Sequence, residues 1–265
     1  VREEYTANNG VRGLSLNTYD RETDRWHQAW VSQVPQSFIT RLRTLGGLRD
    51  GVMVLEGRRD ATFNGVPFTI ADEWSWTPTP EGHVVQTGFA FAGPPFNQVL
   101  TNFTARYERA DITPPAPADT PLCESGFPGQ ATRSGDFLLG DWDVEGYRGP
   151  AVATSTIETD LSRCLFVEHF ESHAGVRAVT YTYWDRWSDR WFWIWIDNQG
   201  ERLELSGDLT GDQLVLSGTE QKAGEDVEVR LTISGEADQL RYSWEVSRDG
   251  GDAWERGAQL RYVRR

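Results

Sequence analysis

Gly175-Val176-Arg177, Trp184-Asp185-Arg186, Asp189-Arg190-Trp191 and Trp195 form one run in the second half of the chain. Gly10-Val11-Arg12, Tyr19-Asp20-Arg21, Asp24-Arg25-Trp26 and Trp30 form another near its start, and every pair is offset by 165 positions. After a short indel the match resumes. Leu48, Met53, Leu55 and Gly57 then face Leu209, Leu214, Leu216 and Gly218 at an offset of 161. It closes with Arg106-Tyr107-Glu108-Arg109 against Arg261-Tyr262-Val263-Arg264. An ordered match of this length, broken only by small indels, marks a tandem duplication.

The boundary lies where composition shifts. Asp111 to Pro121 holds Pro114, Pro115, Pro117 and Pro121 among Ala, Asp and Thr, the composition of an extended linker. The expected division is a first domain over 1–110, a linker over 111–133 and a second domain over 134–265. The second domain opens with Gly135-Asp136-Phe137-Leu138-Leu139-Gly140-Asp141-Trp142-Asp143-Val144 and runs on to Cys164, a stretch with no counterpart in the first. The first domain therefore lacks its opening strands or closes its sheet differently. An open barrel leaves an unpaired edge, a route to self-association unless something covers it.

Short β-rich runs recur at the spacing of an antiparallel meander. In the second domain strands are expected near 141–147, 151–158, 164–171, 176–184, 190–197, 201–206, 213–219, 225–234, 239–247 and 256–264. Turn chemistry separates them at His173-Ala174-Gly175, Asn198-Gln199-Gly200, Thr210-Gly211-Asp212 and Asp249-Gly250-Gly251. No window shows helical periodicity. The expected fold is all-β, two tandem up-and-down barrels of lipocalin-like type, with a β-sandwich as the other architecture.

Composition sets further bounds. Hydrophobic residues make up 38% of the 265 residues, a globular composition. The longest apolar stretch, about Trp191 to Ile196, is far too short to span a bilayer. A net charge of −14 and a pI near 4.7 repel phosphate backbones and anionic membranes. Neither nucleic acid nor membrane is therefore an expected partner. Val1 opens abruptly in a strand-like segment with no signal peptide in view, as processing would leave it. Cys123 and Cys164 are too few and too far apart for a Cys-x-x-Cys motif. The first reading is a disulfide from the linker into the second domain, which implies an oxidising compartment. The other is two separate thiols in a cytosolic protein.

Phe137-Leu-Leu-Gly-Asp-Trp-Asp-Val144, Cys164-Leu-Phe-Val-Glu168, the segment from Tyr19 to Trp30 and Trp244-Glu-Val-Ser-Arg-Asp-Gly-Gly251 resemble secreted bacterial lipocalin-like proteins of unknown function. The resemblance covers nearly the whole chain in two copies. It implies a calycin-type barrel, a Cys123–Cys164 bridge and a secreted or periplasmic location. It brings no catalytic residues, because the family has no settled activity. The duplication and the missing start of the first domain depart from the family pattern.

Twelve tryptophans stand out, eight of them in the second domain. Alternation along Trp191-Phe192-Trp193-Ile194-Trp195-Ile196-Asp197 puts Trp191, Trp193, Trp195 and Asp197 on one face. The first domain carries Trp26, Gln28, Trp30 and Ser32 in those places. Exchanges of Trp for Gln and Asp for Ser suit a wet or ligand-facing surface, and the competing reading is bulky core filler. Trp142, Trp244, Tyr181 and Tyr183 join these as candidate ligand-binding residues able to stack on sugars, aromatics or a polyene.

Glu168 alternates with Phe166 and Phe170, and its counterpart Glu3 alternates with Val1 and Tyr5. A carboxylate on an otherwise apolar face in both copies is costly unless paired. Arg177, matched by Arg12, is the candidate partner across the Gly175 hairpin. The functional reading makes Glu168 a polar anchor or a general acid/base, aided by Asp197 or Asp143. The four histidines do not repeat between copies, and none has metal spacing. No metal or cofactor is expected, with His169 the least unsuitable ligand. No nucleophile elbow or phosphate loop is present.

The leading expectation is a secreted or periplasmic protein that binds a small molecule of apolar, aromatic or sugar-like type. The alternatives are an enzyme using Glu168 with Asp197 (a hydratase, cyclase, lyase or glycan-cleaving activity) and a structural module with filled barrels.

Overall fold

A computed structural model describes residues 2–6, 12–20, 24–34, 38–107, 134–146, 149–161, 163–185, 188–222, 225–236 and 238–265. Strands dominate, and the one helical element among the described residues is a single 3₁₀ turn over Asp136–Leu138. The chain divides into two compact units.

The first unit contains β1 (Arg2–Thr6), β2 (Arg12–Asp20), β3 (Arg25–Val34), β4 (Phe38–Arg49), β5 (Val52–Phe63), β6 (Val66–Pro78), β7 (Val84–Ala92) and β8 (Gln98–Tyr107). They form one eight-stranded sheet in chain order. The second contains β9 (Gly140–Gly146), β10 (Ala151–Asp160), β11 (Leu165–Ser172), β12 (Arg177–Asp185), β13 (Arg190–Asp197), β14 (Arg202–Thr210), β15 (Gln213–Lys222), β16 (Glu225–Glu236), β17 (Gln239–Ser247) and β18 (Glu255–Arg264). These close into a barrel, because β9 pairs with β10 on one side and with β18 on the other.

All ten strands expected in the second unit are present, with β14 and β15 running furthest past their expected ends. The first unit is not a complete barrel, in keeping with the expectation that this domain lacks its opening strands or closes its sheet differently. Among the described residues no ladder joins β8 back to β1, and the sheet is a curled half-barrel. The repeat gives the reason. Glu3 on β1 stands 165 positions before Glu168 on β11, so β1–β8 correspond to β11–β18. Among the described residues, β9 and β10, the two strands that complete the ring in the second unit, have no counterparts in the first. Cys123 and the whole 111–133 linker lie outside the described residues. Cys164 itself is buried at the start of the β10–β11 ladder.

Several repeated residues are turn chemistry. Asp24 and Asp189, matched at offset 165, both take left-handed backbone conformations, with φ of 53° and 52°. Asp tolerates that region better than most residues carrying a Cβ. Asp185 is buried and accepts hydrogen bonds from the Ser188 backbone N–H at 3.1 Å and hydroxyl at 2.6 Å. It thereby fixes the β12–β13 turn.

One end of the second barrel is plugged. The 3₁₀ turn brings Leu138 into the core, and the Trp142 indole N–H donates to the Leu138 carbonyl at 3.2 Å. Phe166 and Trp191 pack beside Gly135, and Phe137 packs on Gly235. Inward-facing Leu205, Leu214, Leu216, Val229, Leu231 and Ile233 fill this half of the interior.

Gly207 on β14 faces Leu216 in the β14–β15 register, and a Cβ there would run into the Val215 carbonyl oxygen. Gly46, opposite Leu55, meets Val54 in the same way in the first unit. Backbone cannot swing aside as a flexible side chain can. Gly207→Ala is therefore expected to destabilise the second unit by about 1–3 kcal/mol, read as a lowered denaturant midpoint, whereas Gly149→Ala, where a Cβ meets nothing within 4 Å, costs less.

Candidate functional site

Above its plug the second barrel holds a cavity of about 460 Å³. Alternation on β11 turns Glu168 inward between Phe166 and Phe170. On β13 it turns Trp193 and Trp195 inward, and on β17 Tyr242 and Trp244. Trp193 and Trp195 stack with centroids 6.0 Å apart and planes 18° apart. Trp244 stands edge-on to Trp193 at 5.6 Å and 68°, and Phe170 meets Trp195 edge-to-face at 5.3 Å. The wall is aromatic on adjoining sides.

Glu168 lies at the inner end of this wall and is only 4% exposed. The Ser155 hydroxyl donates to its Oε1 at 2.8 Å and the Tyr262 phenol at 3.0 Å. Thr180 is directly opposite it in the β11–β12 register. Burial pushes the Glu168 carboxyl above its ordinary range, while the hydroxyls of Ser155, Tyr262 and Thr180 pull the other way. Burial also raises the phenols of Tyr262 and Tyr242, and Glu168 adds to the effect at both. The two rings stack at 4.3 Å and 16°. Deep in the cavity stands a carboxyl whose titration burial pushes upward, held in place by hydroxyl donors.

The residues singled out from the sequence separate into groups. Glu168, Asp197, Trp193, Trp195 and Trp244 line the cavity. Trp191 and Trp142 face inward but form the packed floor below it. Tyr181 and Tyr183 are buried on the opposite face of β12, with Tyr183 stacked on Phe192 at 5.7 Å, and they do not line the cavity. Arg177 is exposed and stands opposite Glu171, at the far end of the register from Glu168. The expected Glu168–Arg177 pair is therefore replaced by hydroxyl donors, because the hairpin register sets Thr180 across from Glu168.

Asp197 has a different task from the expected one. Its Oδ1 accepts the backbone N–H groups of Gln199 and Glu201, each at 2.9 Å, and its Oδ2 accepts from the Trp195 indole at 3.4 Å. It caps the β13–β14 turn at the cavity mouth. It lies two strands from Glu168, a separation on the order of 10 Å, too far to share a proton with it. Asp143 faces outward, 3.8 Å from Arg265, and His169 is exposed near Glu158.

The first unit repeats the arrangement in smaller form. Glu3 accepts from Ser15 at 2.9 Å and from Tyr107 at 3.5 Å, and Tyr107 donates to Gln86 at 2.6 Å. Tyr107 and Ser15 are the counterparts of Tyr262 and Thr180. The cavity here is about 120 Å³ and includes Glu3, Gln28, Trp30 and Trp74. Trp74 on β6 packs over Gly88 on β7. In the second barrel the tryptophan of that cross-strand pair comes from the other strand, as Trp244 facing Leu231. Trp26 packs against Tyr19 at 5.5 Å, and Arg12 pairs with Thr6 at the end of the β1–β2 ladder; neither lines this cavity.

Ser155, Tyr242 and Tyr262 were not visible as site residues in the sequence. A signal for Tyr262 did exist: the closing Arg-Tyr pair is among the matched positions of the duplication. No protein-family model matches the chain, and no curated protein matches it.

Because the fold holds a proton on Glu168 more tightly than the unfolded chain does, this residue's contribution to stability is complete below the ordinary carboxyl value of 4.5. It is lost as pH rises through the raised folded value. Glu168→Gln keeps the acceptor for Ser155 and Tyr262 and cannot ionise. Its melting temperature is expected to gain on wild type as pH rises above the ordinary carboxyl value, in a series of thermal melts.

Proposed function

We propose that the second barrel is a small-molecule binding module of lipocalin type, working in a secreted or periplasmic protein. The observation that carries this reading is the 460 Å³ cavity with a buried carboxyl at its inner end and Trp193, Trp195 and Trp244 around it. A packed structural module has no use for such a space, and burying Glu168 costs stability that a tighter apolar core would not. Aromatic walls with a few polar groups at fixed positions are the usual composition of ligand sites.

Native mass spectrometry of protein purified from its source is expected to show a retained mass that is lost on denaturation. The same protein with Trp193→Gln, which installs the residue found at position 28, is expected to retain at least about tenfold less. Equal retention by a folded variant would sink the assignment.

A second reading is favoured by the raised carboxyl itself. A buried carboxyl whose titration is shifted upward, with the Tyr262 hydroxyl beside it, is the kind of group that general acid–base catalysis uses. Glu168→Gln separates the two: a binding module keeps most of its affinity, and an enzyme loses turnover.

The Cys123–Cys164 disulfide belongs to the same proposal, because secretion and an oxidised bridge go together. Intact protein is expected to show no thiol reactive toward alkylating agents after denaturation without reductant. After reduction it gains the mass of two hydrogens and takes up two alkyl groups.

A further inference from the structure

We infer that the cavity of the second barrel takes an uncharged molecule with an apolar body and a carbonyl oxygen at its inner end. The Tyr242 phenol donates the hydrogen bond that holds that oxygen. The inference rests on the reading of this cavity as a ligand site, and it names the ligand's buried end and the residue that recognises it.

A spare hydroxyl is the first argument. Tyr242 lines the cavity and is only 4% exposed. Its ring stacks on that of Tyr262 from the neighbouring strand, at 4.3 Å and 16°. The two phenols differ in what they bond. Tyr262 donates to Glu168 at 3.0 Å, whereas among the described residues the Tyr242 phenol makes no hydrogen bond. A buried hydroxyl is nearly always bonded, and leaving it unmade costs stability. A phenylalanine would give the same stack without that cost. In the first unit the group in this place, Gln86, is used by the protein itself, accepting from Tyr107 at 2.6 Å. Burial and the nearby Glu168 carboxyl push the Tyr242 phenol up, so it keeps its proton and can donate it.

The surroundings are the second argument. Phe170, Leu203, Val229 and Val246 line the cavity together with its tryptophans, which suits an apolar body. Among the described residues Arg202 is the one cationic residue in the lining, and its Nη2 is 3.1 Å from Glu204 Oε2. A ligand carboxylate at the inner end would lie beside Glu168 with no cation to pair with, and burying it so is costly. A carbonyl oxygen accepts from the phenol and brings no proton that needs an acceptor of its own.

The test uses three compounds with one aromatic body and nearly one shape: 2-acetylnaphthalene, 2-isopropylnaphthalene and 2-naphthoate. They carry a carbonyl, no polar atom and a carboxylate. Each is titrated by calorimetry and ligand-observed NMR against the full chain, as wild type and as Tyr242→Phe, which removes the hydroxyl and keeps the ring. Apolar transfer favours the hydrocarbon in both proteins, so the ratio of ketone to hydrocarbon affinity is the readout. That ratio is expected to fall about tenfold in Tyr242→Phe, with the hydrocarbon unchanged. The naphthoate is expected not to bind detectably. In infrared spectra the carbonyl stretch of the bound ketone is expected at lower frequency in wild type than in the variant, as a hydrogen bond to the oxygen requires. Because the phenol has no protein partner to lose, the melting temperature of Tyr242→Phe is expected to equal or exceed that of wild type.

A ratio unchanged by the substitution would overturn the inference and leave the binding reading intact. Tighter binding of the naphthoate than of the ketone would overturn it as well. So would a variant that melts several degrees below wild type, the sign of a phenol bonded within the protein. Binding of none of the three also overturns it, and the binding reading then stands or falls on the retained-mass experiment alone.

Discussion

The β9 strand carries a ladder on each of its edges, to β10 and to β18, and the rest of the second unit follows from that double pairing. Once the ring is shut, each strand has an inside and an outside, and alternation assigns its residues without exception along β13 and β17. Side chains that would lie on one face of an open sheet are then forced toward a common axis. Near the 3₁₀ turn they meet and fill the space. Further up the bulk of Trp193, Trp195 and Trp244 goes to the wall, and a cavity is left. The described residues of the first unit hold eight strands in an open sheet, and its cavity is about a quarter as large.

Within that ring the buried carboxyl sets the chemistry. Glu168 is tolerated because Ser155 and Tyr262 reach Oε1 from strands on either side of the closure, β10 and β18. Ser155 belongs to β10, which has no counterpart among the described residues of the first unit. Glu3 has donors there from the strands the units share, Ser15 and Tyr107. The two copies thus hold one polar device at two levels of enclosure. Their walls differ where Gln28 replaces Trp193 and Gln86 takes the place of Tyr242 beside the tyrosine. The two units hold interiors of different size and polarity.

The sequence by itself determined the all-β class and the ten strands of the second unit, because each depends on local signals: period-two alternation and turn residues. It also determined that Glu168, Trp193 and Trp195 face one way, since alternation alone settles that. Only the tertiary structure decided what meets that face. Arg177 was a reasonable partner for Glu168 by chain distance, but hairpin register places Thr180 opposite and leaves Arg177 at the exposed end. Tyr262 is 94 positions from Glu168, and it becomes a neighbour only when the last strand returns to the first. Tyr181 and Tyr183 look like pocket residues by type and are turned outward by the same alternation that turns Thr180 and Thr182 in. The physical reason is that side-chain direction is a local property of a strand, whereas a pocket is made by strands that meet through closure, and closure is decided by pairings far apart in the chain.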